Sequence, residues 1–259
     1  MPPIPRPVLS IVALCLLCAG CMVPVRREAV VLEPRPRLLH VPGITGDSPF
    51  DKWFLGALRT GGFDAEAETF DWTTGRFALT ALRDHDAARV QAKRLATRIV
   101  ELHKASPGRP IYLTCHSGGC GVVAWALEAL PADVGVAGVI MLAPALSPGY
   151  DLEAAARRVR QEVLVYTSPW DALILGLGTT LFGTIDGPAT PAAGMVGPSL
   201  PGREGTSQKV VVRSYQCAWA FQYGHTGGHM AALGVRFASG HLAAELTQRA
   251  EAMAARAGG

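Results

Sequence analysis

The amino-acid sequence predicts an α/β fold, with a mostly parallel sheet that is covered by helices on both faces. Short apolar runs alternate through the middle of the chain with segments whose apolar residues recur at helical spacing, a pattern typical of parallel sheets. The length of 259 residues and the 49% of hydrophobic residues suffice for one large core. Ser117 lies between one of the apolar runs and the helical segment after it, among very small residues.

The predicted strands are short runs rich in β-branched and other apolar residues. In chain order they cover residues 38–41, 65–72, 111–114, 136–142, 163–167 and 209–215. The predicted helices have apolar residues every three or four positions and carry start or stop signals. Ser48 and Pro49 start the first helix, and Pro107 with Gly108 closes a long helix over residues 87–106. Further helices are predicted over residues 122–130, about 152–159, and 238–257.

The N-terminal residues have the form of an export signal. Arg6 precedes an apolar run over residues 8–18, which is short for a membrane span. Residues 16–21, Leu-Leu-Cys-Ala-Gly-Cys, resemble a bacterial lipobox. The resemblance implies cleavage before Cys21 and attachment of lipid to it, and hence an exported, membrane-anchored lipoprotein that faces the periplasm or the cell exterior. An ordinary signal peptide with a soluble product, or an uncleaved anchor, stays open.

The predicted domain organisation follows from composition. Residues 1–20 form the signal, and residues 21–37, rich in proline and arginine, form a tether to a folded domain over residues 38–259. Within that domain, residues 176–208 lack periodicity and are rich in glycine, proline, threonine and alanine. Such a stretch is typical of a lid or a binding loop, or of a disordered insert.

Charge and cysteine content exclude several classes of function. The formal net charge of +3 is small and the basic residues are scattered, which argues against a nucleic-acid partner. Beyond the signal and Cys21, only Cys115, Cys120 and Cys217 remain, too few and too irregularly spaced for a disulfide framework or a zinc site. We expect Cys115 and Cys120 to be small buried side chains, and the sequence indicates no cofactor.

The surroundings of Ser117 are typical of a nucleophile elbow. In that motif, G-x-S-x-G, the serine occupies a strained turn between a strand and a helix, and the residues two before and two after it must be small. Here those positions are Cys115 and Gly119, so a cysteine replaces the first glycine. The alternative is a strand-to-helix junction whose glycines only permit close packing.

A base and an acid follow the serine in the chain. A serine hydroxyl is a weak nucleophile and needs a base, which an acid must orient. Asp171 comes just after the strand over residues 163–167, and His229 lies in a glycine-rich loop after the last predicted strand. With its Ser-Asp-His order, the chain from about residue 38 to the end resembles the α/β-hydrolase superfamily. The resemblance implies that fold and a triad of Ser117, His229 and Asp171.

The segment His40-Val41-Pro42-Gly43-Ile44 extends the resemblance upstream. It stands where the superfamily has its first oxyanion loop, which implies that the N–H groups of Ile44 and Gly118 form the oxyanion hole. A glycine-bearing loop and a helix N-terminus are physically suited to this role, because both point backbone donors at a developing negative charge. His40 itself is expected to be a structural hydrogen-bond partner.

Other residues compete for the same roles. His225 lies four residues before His229 and is the alternative base, and Asp186 is the alternative acid. A metal site built from both histidines and Asp171 is also conceivable. His116 is expected to pack beside the site, and His241, inside the closing helix, is expected to lie at the surface or to pack.

Together these features predict a serine hydrolase that cleaves an ester or a similar acyl bond through an acyl-enzyme. The expected substrate is a small-molecule or lipid-like acyl compound. Two alternatives stay open, an acyltransferase that uses the same triad and a non-catalytic binding protein on a hydrolase scaffold.

Overall fold

The computed structural model of the protein describes residues 23–200, 208–215 and 221–257. Cys21, Cys217 and the predicted signal lie outside the described residues. Its centre is a six-stranded parallel sheet with the order β2-β1-β3-β4-β5-β6. The strands are β1 (Arg37–Val41), β2 (Glu66–Thr69), β3 (Ile111–His116), β4 (Gly138–Leu142), β5 (Val163–Thr167) and β6 (Val210–Ser214). All six predicted strands are present, and β2 is shorter than its apolar pattern indicates.

Helices cover both faces of the sheet, as the sequence predicts. They are α1 (Pro49–Thr60), α2 (Ala78–Arg83), α3 (His85–Ala105), α4 (Gly119–Glu128), α5 (Glu153–Ala156), α6 (Thr179–Phe182), α7 (Ala193–Val196), α8 (Val235–Phe237) and α9 (Ala243–Ala257). Two π-helical segments, Ala172–Gly178 and Ala238–Leu242, and a 3₁₀ turn, His229–Leu233, accompany them.

Alternate residues of each strand enter one of two hydrophobic cores. On one face, β3 residues such as Leu113 pack with α3 and α4; on the other, Tyr112 packs with α1 and α9. This follows from the period of two along a strand, and burial of both faces explains why the strand sequences are continuously apolar. Because the strands are parallel, their carboxyl ends all lie at one edge of the sheet, which we call the carboxyl edge.

The start of α1 is fixed to the sheet by buried polar groups. The Asp51 carboxylate accepts from the Ser48 N–H at 3.0 Å and from its hydroxyl, as in a helix cap, and also bonds the His40 Nε2 at 2.9 Å. The other ring nitrogen of His40 bonds the Thr114 hydroxyl at 3.0 Å. Burial raises the pKa of Asp51, but the hydrogen bonds from His40 and Ser48 outweigh it and hold that pKa below its usual value. His40 is thus a buried structural partner.

Two segments without sequence periodicity also pack on the body. In the predicted tether, the N–H groups of Val25 and Arg27 donate to Ser239 Oγ at 2.7 Å and to Thr60 O at 3.1 Å, and Leu32 is buried. The predicted lid region, as far as residue 200, contains α6, α7 and part of a π-helical segment, with Ile185 buried.

Candidate active site

Ser117 occupies a sharp turn between β3 and α4. Its φ angle is 52°, in the left-handed region that residues other than glycine seldom adopt. The Ser117 N–H donates to Leu142 O at 3.0 Å, and the Ser117 carbonyl accepts from the N–H groups of Cys120 and Ala145, each at 3.1 Å. These three hydrogen bonds hold the strained conformation. The geometry is that of a nucleophile elbow at the carboxyl edge.

The small residues around Ser117 are needed for packing. A Cβ atom on Gly119 would lie 2.3 Å from Pro42 O and 2.6 Å from Val41 O, so only glycine fits there. On the other side of the serine, Cys115 is fully buried, with its Sγ 3.6 Å from Ile140 O. There is therefore room for a thiol where the usual motif has glycine.

The thiols beside the elbow are structural. Burial raises the pKa of Cys115 well above its ordinary value, so this thiol stays protonated. Cys115 and Cys120 are both buried and form no disulfide, which confirms the prediction made for them.

Asp171 and His229 form a hydrogen-bonded pair. Asp171 follows β5, and His229 begins the 3₁₀ turn, so that His229 Nδ1 lies 2.6 Å from Asp171 Oδ2. The other carboxylate oxygen accepts from the Leu175 N–H at 3.4 Å, at the start of a π-helical segment. A carboxylate only accepts hydrogen bonds, so Nδ1 of His229 carries a proton, and in the neutral ring the lone pair lies on Nε2. This is the tautomer that a general base needs.

His116 joins this pair to the elbow. Its ring centroid lies 4.6 Å from that of His229, and its Nε2–H donates to the backbone carbonyl of His229 at 3.2 Å. Burial, and then the neighbouring His229, lower the pKa of His116 to about 3, so the ring is neutral. His229 thus rests against the residue that precedes Ser117. In this structure, Ser117 Oγ and His229 are not hydrogen-bonded to each other.

The predicted oxyanion loop lies against the elbow. A Cβ atom on Gly43 would be 3.3 Å from Ser117 Cβ, and one on Gly118 would be 2.8 Å from Ile44 Cγ2. Among the described residues, neither the N–H of Ile44 nor that of Gly118 has a hydrogen-bond acceptor. Both residues thus lie beside the serine, where the predicted oxyanion hole requires them.

Trp72 holds this loop in place. Its indole N–H donates to Pro42 O at 2.8 Å, and its ring is fully buried. Sequence patterns predict neither this contact nor the bond from His116 to the His229 carbonyl, and they place Trp72 at the end of a strand. The only signal in the sequence is the position of Trp72 just after β2, at the same edge as the serine.

The alternative base, His225, has a different environment. It is buried, its ring stacks on Tyr215 with centroids 3.5 Å apart, and its Nδ1 accepts from the Gly227 N–H at 3.0 Å. Burial lowers the pKa of His225 to about 3. No hydrogen bond joins His225 to Asp171.

Asp186 and His241 are bonded away from Ser117. Asp186 accepts from the N–H of Ser147 at 2.8 Å and from its hydroxyl at 2.5 Å, and thereby fixes a loop. His241 is half-buried and bonds the Tyr166 hydroxyl at 2.9 Å, so of the two alternatives it packs. Among the residues that the structure describes, no three or more His, Cys, Asp or Glu side chains are grouped so as to hold a metal ion.

A sequence comparison matches the middle of the chain to a protein family. The family model described as "Alpha/beta hydrolase" matches residues 69–173, which include Ser117 and Asp171 but less than half of the chain. Three features of the chain agree with this match: the parallel sheet, the strained serine after β3, and the Ser-Asp-His order. The chain has the α/β-hydrolase fold.

Solved structures with some similarity include three esterase or cutinase-like proteins. The crystal structure of esterase PE8 has a TM-score of 0.44 and 16% identity, covering 87% of this chain and 96% of its own. The esterase domain of a Rhodothermus marinus protein has a TM-score of 0.44 and 17% identity, covering 87% and 90%. A cutinase-like protein from Cryptococcus sp. has a TM-score of 0.38 and 14% identity, covering 88% and 94%. No curated protein matches the chain.

Proposed function

We propose that this α/β-hydrolase-fold protein is a serine hydrolase that cleaves an ester or a similar acyl bond. The observation that carries the proposal is the 2.6 Å hydrogen bond between His229 and Asp171, next to a serine held at a φ angle of 52°. The description of the family that matches residues 69–173 supports the hydrolase class. The substrate we propose is a small-molecule or lipid-like acyl compound.

The proposed reaction has two halves. Ser117 Oγ attacks the acyl carbon while His229 Nε2 takes its proton, and the oxyanion that forms accepts from the N–H groups of Ile44 and Gly118. The bond from the acyl carbon to the leaving oxygen then breaks, and His229 returns the proton to that oxygen. Water next attacks the acyl-enzyme and gives a proton to His229 Nε2. The bond from the acyl carbon to Ser117 Oγ then breaks, His229 returns the proton to Oγ, and the acid leaves. Asp171 orients the imidazole throughout and stabilises it when it is charged.

A fluorophosphonate probe tests this proposal. We expect the intact protein to gain one probe adduct, located by peptide mass at Ser117, and we expect Ser117→Ala to abolish both the adduct and turnover of activated esters. Ser106→Ala, a change at the end of α3, serves as the matched control and should retain both. An unlabelled protein would favour a non-catalytic binding protein, and transfer of the acyl group to an added alcohol in preference to water would identify an acyltransferase.

We further propose that Cys21 is lipidated and anchors the exported protein to a membrane. The support is the lipobox-like sequence of residues 16–21. Among the described residues, no helix is both long and apolar enough to span a bilayer. Cys21→Ser should move the protein from the membrane fraction to the soluble exported one. An unchanged distribution, or an N-terminal peptide without lipid mass, would contradict this proposal and leave the hydrolase proposal standing.

A further inference from the structure

Exposed apolar side chains adjoin the candidate active site in the chain. Eight large apolar side chains there have exposed fractions between 42% and 73%, and six of them belong to the continuous segment over residues 170–182. Single exposed apolar residues are common on soluble proteins, but a contiguous set of this size marks an interaction site. We call this surface the apolar rim. It consists of Trp170, Leu173, Ile174, Leu177, Leu181, Phe182, Phe221 and Met230.

Contacts make the rim continuous with the catalytic residues. The rings of Trp170 and Phe221 lie 5.6 Å apart between centroids, which joins the 170–182 segment to the chain before His229. Met230 directly follows His229, whose side chain bonds Asp171 of the same segment. The rim therefore flanks the acid and the base on the solvent side of the carboxyl edge.

The segment over residues 170–182 can be covered without desolvating an unpaired charge; beside it, the exposed Arg83 guanidinium lies 5.4 Å from the centroid of the Phe182 ring. Within residues 170–182 the only charged side chain is that of Asp171, which is already buried and bonded to His229. The hydroxyls of Thr179 and Thr180 donate to the carbonyls of Leu175 and Gly176 at 2.6 and 2.7 Å. Burying unpaired polar groups is the usual cost of removing a surface from water, and here it is small.

We infer that the apolar rim docks onto a lipid surface. This inference rests on the proposed function, because the covering partner has to leave Ser117 open to an acyl substrate. A second copy or a folded protein seated on the rim would stand over the catalytic residues. A lipid surface covers the apolar side chains and presents acyl groups to the site from the same side. Aromatic and aliphatic side chains of this kind are also those that enter the membrane interface.

The path of the N-terminal segment supplies a second, independent argument. The Val25 N–H donates to Ser239 Oγ at 2.7 Å. The adjacent Gly240 lies close to both Val25 and Tyr223: a Cβ atom on it would be 3.1 Å from Val25 Cγ2 and 2.5 Å from the Tyr223 ring. Tyr223 is two residues beyond Phe221 of the rim. Cys21, the proposed lipid-bearing residue, precedes Val25 by four positions, so the chain between them reaches at most about 14 Å. The first described residues thus lie beside the turn that contacts Tyr223, which is close in the chain to Phe221 of the rim.

A fluorescent label on the rim tests the inference. Leu177→Cys carries an environment-sensitive fluorophore, and Val90→Cys on α3 is the matched control, since the two native side chains are 54% and 50% exposed. Both labels are placed in the proposed mature chain, from residue 21 on, with Cys21→Ser and Cys217→Ser, so that neither lipid, nor the apolar signal, nor Cys15 and Cys18 is present. The vesicles consist of phosphatidylcholine and phosphatidylglycerol with nitroxide-bearing lipids. We expect the vesicles to quench the label at position 177 by about twofold or more, and the label at position 90 hardly at all.

Each other outcome overturns the inference. A label at position 177 that is no more quenched than the control, with or without vesicle binding, would show that the rim does not meet lipid. A blue shift at position 177 that grows with protein concentration in the absence of vesicles would identify a second copy as the occupant. The measurement needs no turnover and is repeated with Ser117→Ala, so its result is separate from that of the fluorophosphonate test.

Discussion

The two edges of the sheet differ in chemistry. At the carboxyl edge, the Ser117 backbone is strained and the buried Asp171 carboxylate orients His229. At the opposite edge, which we call the amino edge, there is a cleft of about 620 Å³ that has neither feature. That cleft lies between the segment before β1 and the end of α9. Its lining is mostly aliphatic, with Leu32, Pro34, Pro36, Pro110 and Met253 among its residues.

The difference between the two edges shows what marks a site of chemistry. The cleft at the amino edge has volume, but its lining holds neither a strained serine nor a histidine bonded to a buried carboxylate. The carboxyl edge instead combines a strained backbone, two N–H donors that no described residue pairs, and the hydrogen-bonded pair of His229 and Asp171. Such features cost folding free energy, so they persist where they serve a function. Variants at each edge test this contrast, from the largest expected effect to the smallest.

The largest effect is expected from loss of the base. His229→Ala should lower kcat for an activated ester by about a thousandfold or more, because the serine then lacks a proton acceptor. His225→Ala is the control from the same loop and should lower kcat far less. Fluorophosphonate labelling of Ser117 should slow in parallel with kcat in the first variant only. The reverse pattern would make His225 the base, and two mild effects would remove the triad assignment.

A pair of glycines compares the packing at the two edges. Gly119→Ala forces a methyl group against two backbone oxygens at 2.3 and 2.6 Å and should destabilise the fold by about 3 kcal/mol. Gly108→Ala, in the turn before β3, meets no atom within 4 Å and incurs only the strain of its φ angle of 81°, about 1 kcal/mol. Urea denaturation measures both values. Equal decreases in the free energy of unfolding would mean that the turn at Ser117 is packed no more tightly than an open turn.

Acid should destabilise the protein through two buried histidines of the carboxyl edge. The folded-state pKa values of His116 and His225 are about 3, below the 6.5 of an exposed histidine. Between those pH values the unfolded chain binds more protons than the folded chain. The free energy of unfolding is therefore highest above pH 6.5 and decreases as the pH falls toward 3. At pH 5 each histidine should cost about 2 kcal/mol.

Chemical denaturation at several pH values checks this, with His225→Gln as the comparison variant. Removing one titrating group should make the stability curve between pH 6.5 and pH 4 shallower. A curve as steep as that of the parent protein would show that His225 is not buried in its neutral form.

The smallest effect on activity is expected at the amino edge. Met253→Ala enlarges the cleft there and should lower the melting temperature, since a partly buried side chain is lost. Its kcat/KM should stay within about twofold of the parent value, because no catalytic group is near. A large loss of activity with intact folding would show that the cleft takes part in the reaction and would invalidate the contrast between the edges.

Local patterns in the sequence were sufficient for the fold class and for the elbow. Strand and helix periodicities depend on which residues can be buried, so the six strands and the long helix α3 are evident without coordinates. The small residues around Ser117 show a tight turn for the same reason, since their need for space is local. The short helix α2 was not predicted, because six residues give too little periodicity.

Contacts between distant parts of the chain were decided only by the tertiary structure. Residues 25–36 and 176–200 carry no periodic pattern, yet they pack because the body offers them buried positions and hydrogen-bond partners. His225 and His229 look alike in the sequence, and which one meets Asp171 depends on how a loop folds back over β5. The sequence by itself determined which elements form, through local propensity and burial. The partners of each polar group depend on distances across the fold, which a linear pattern does not contain.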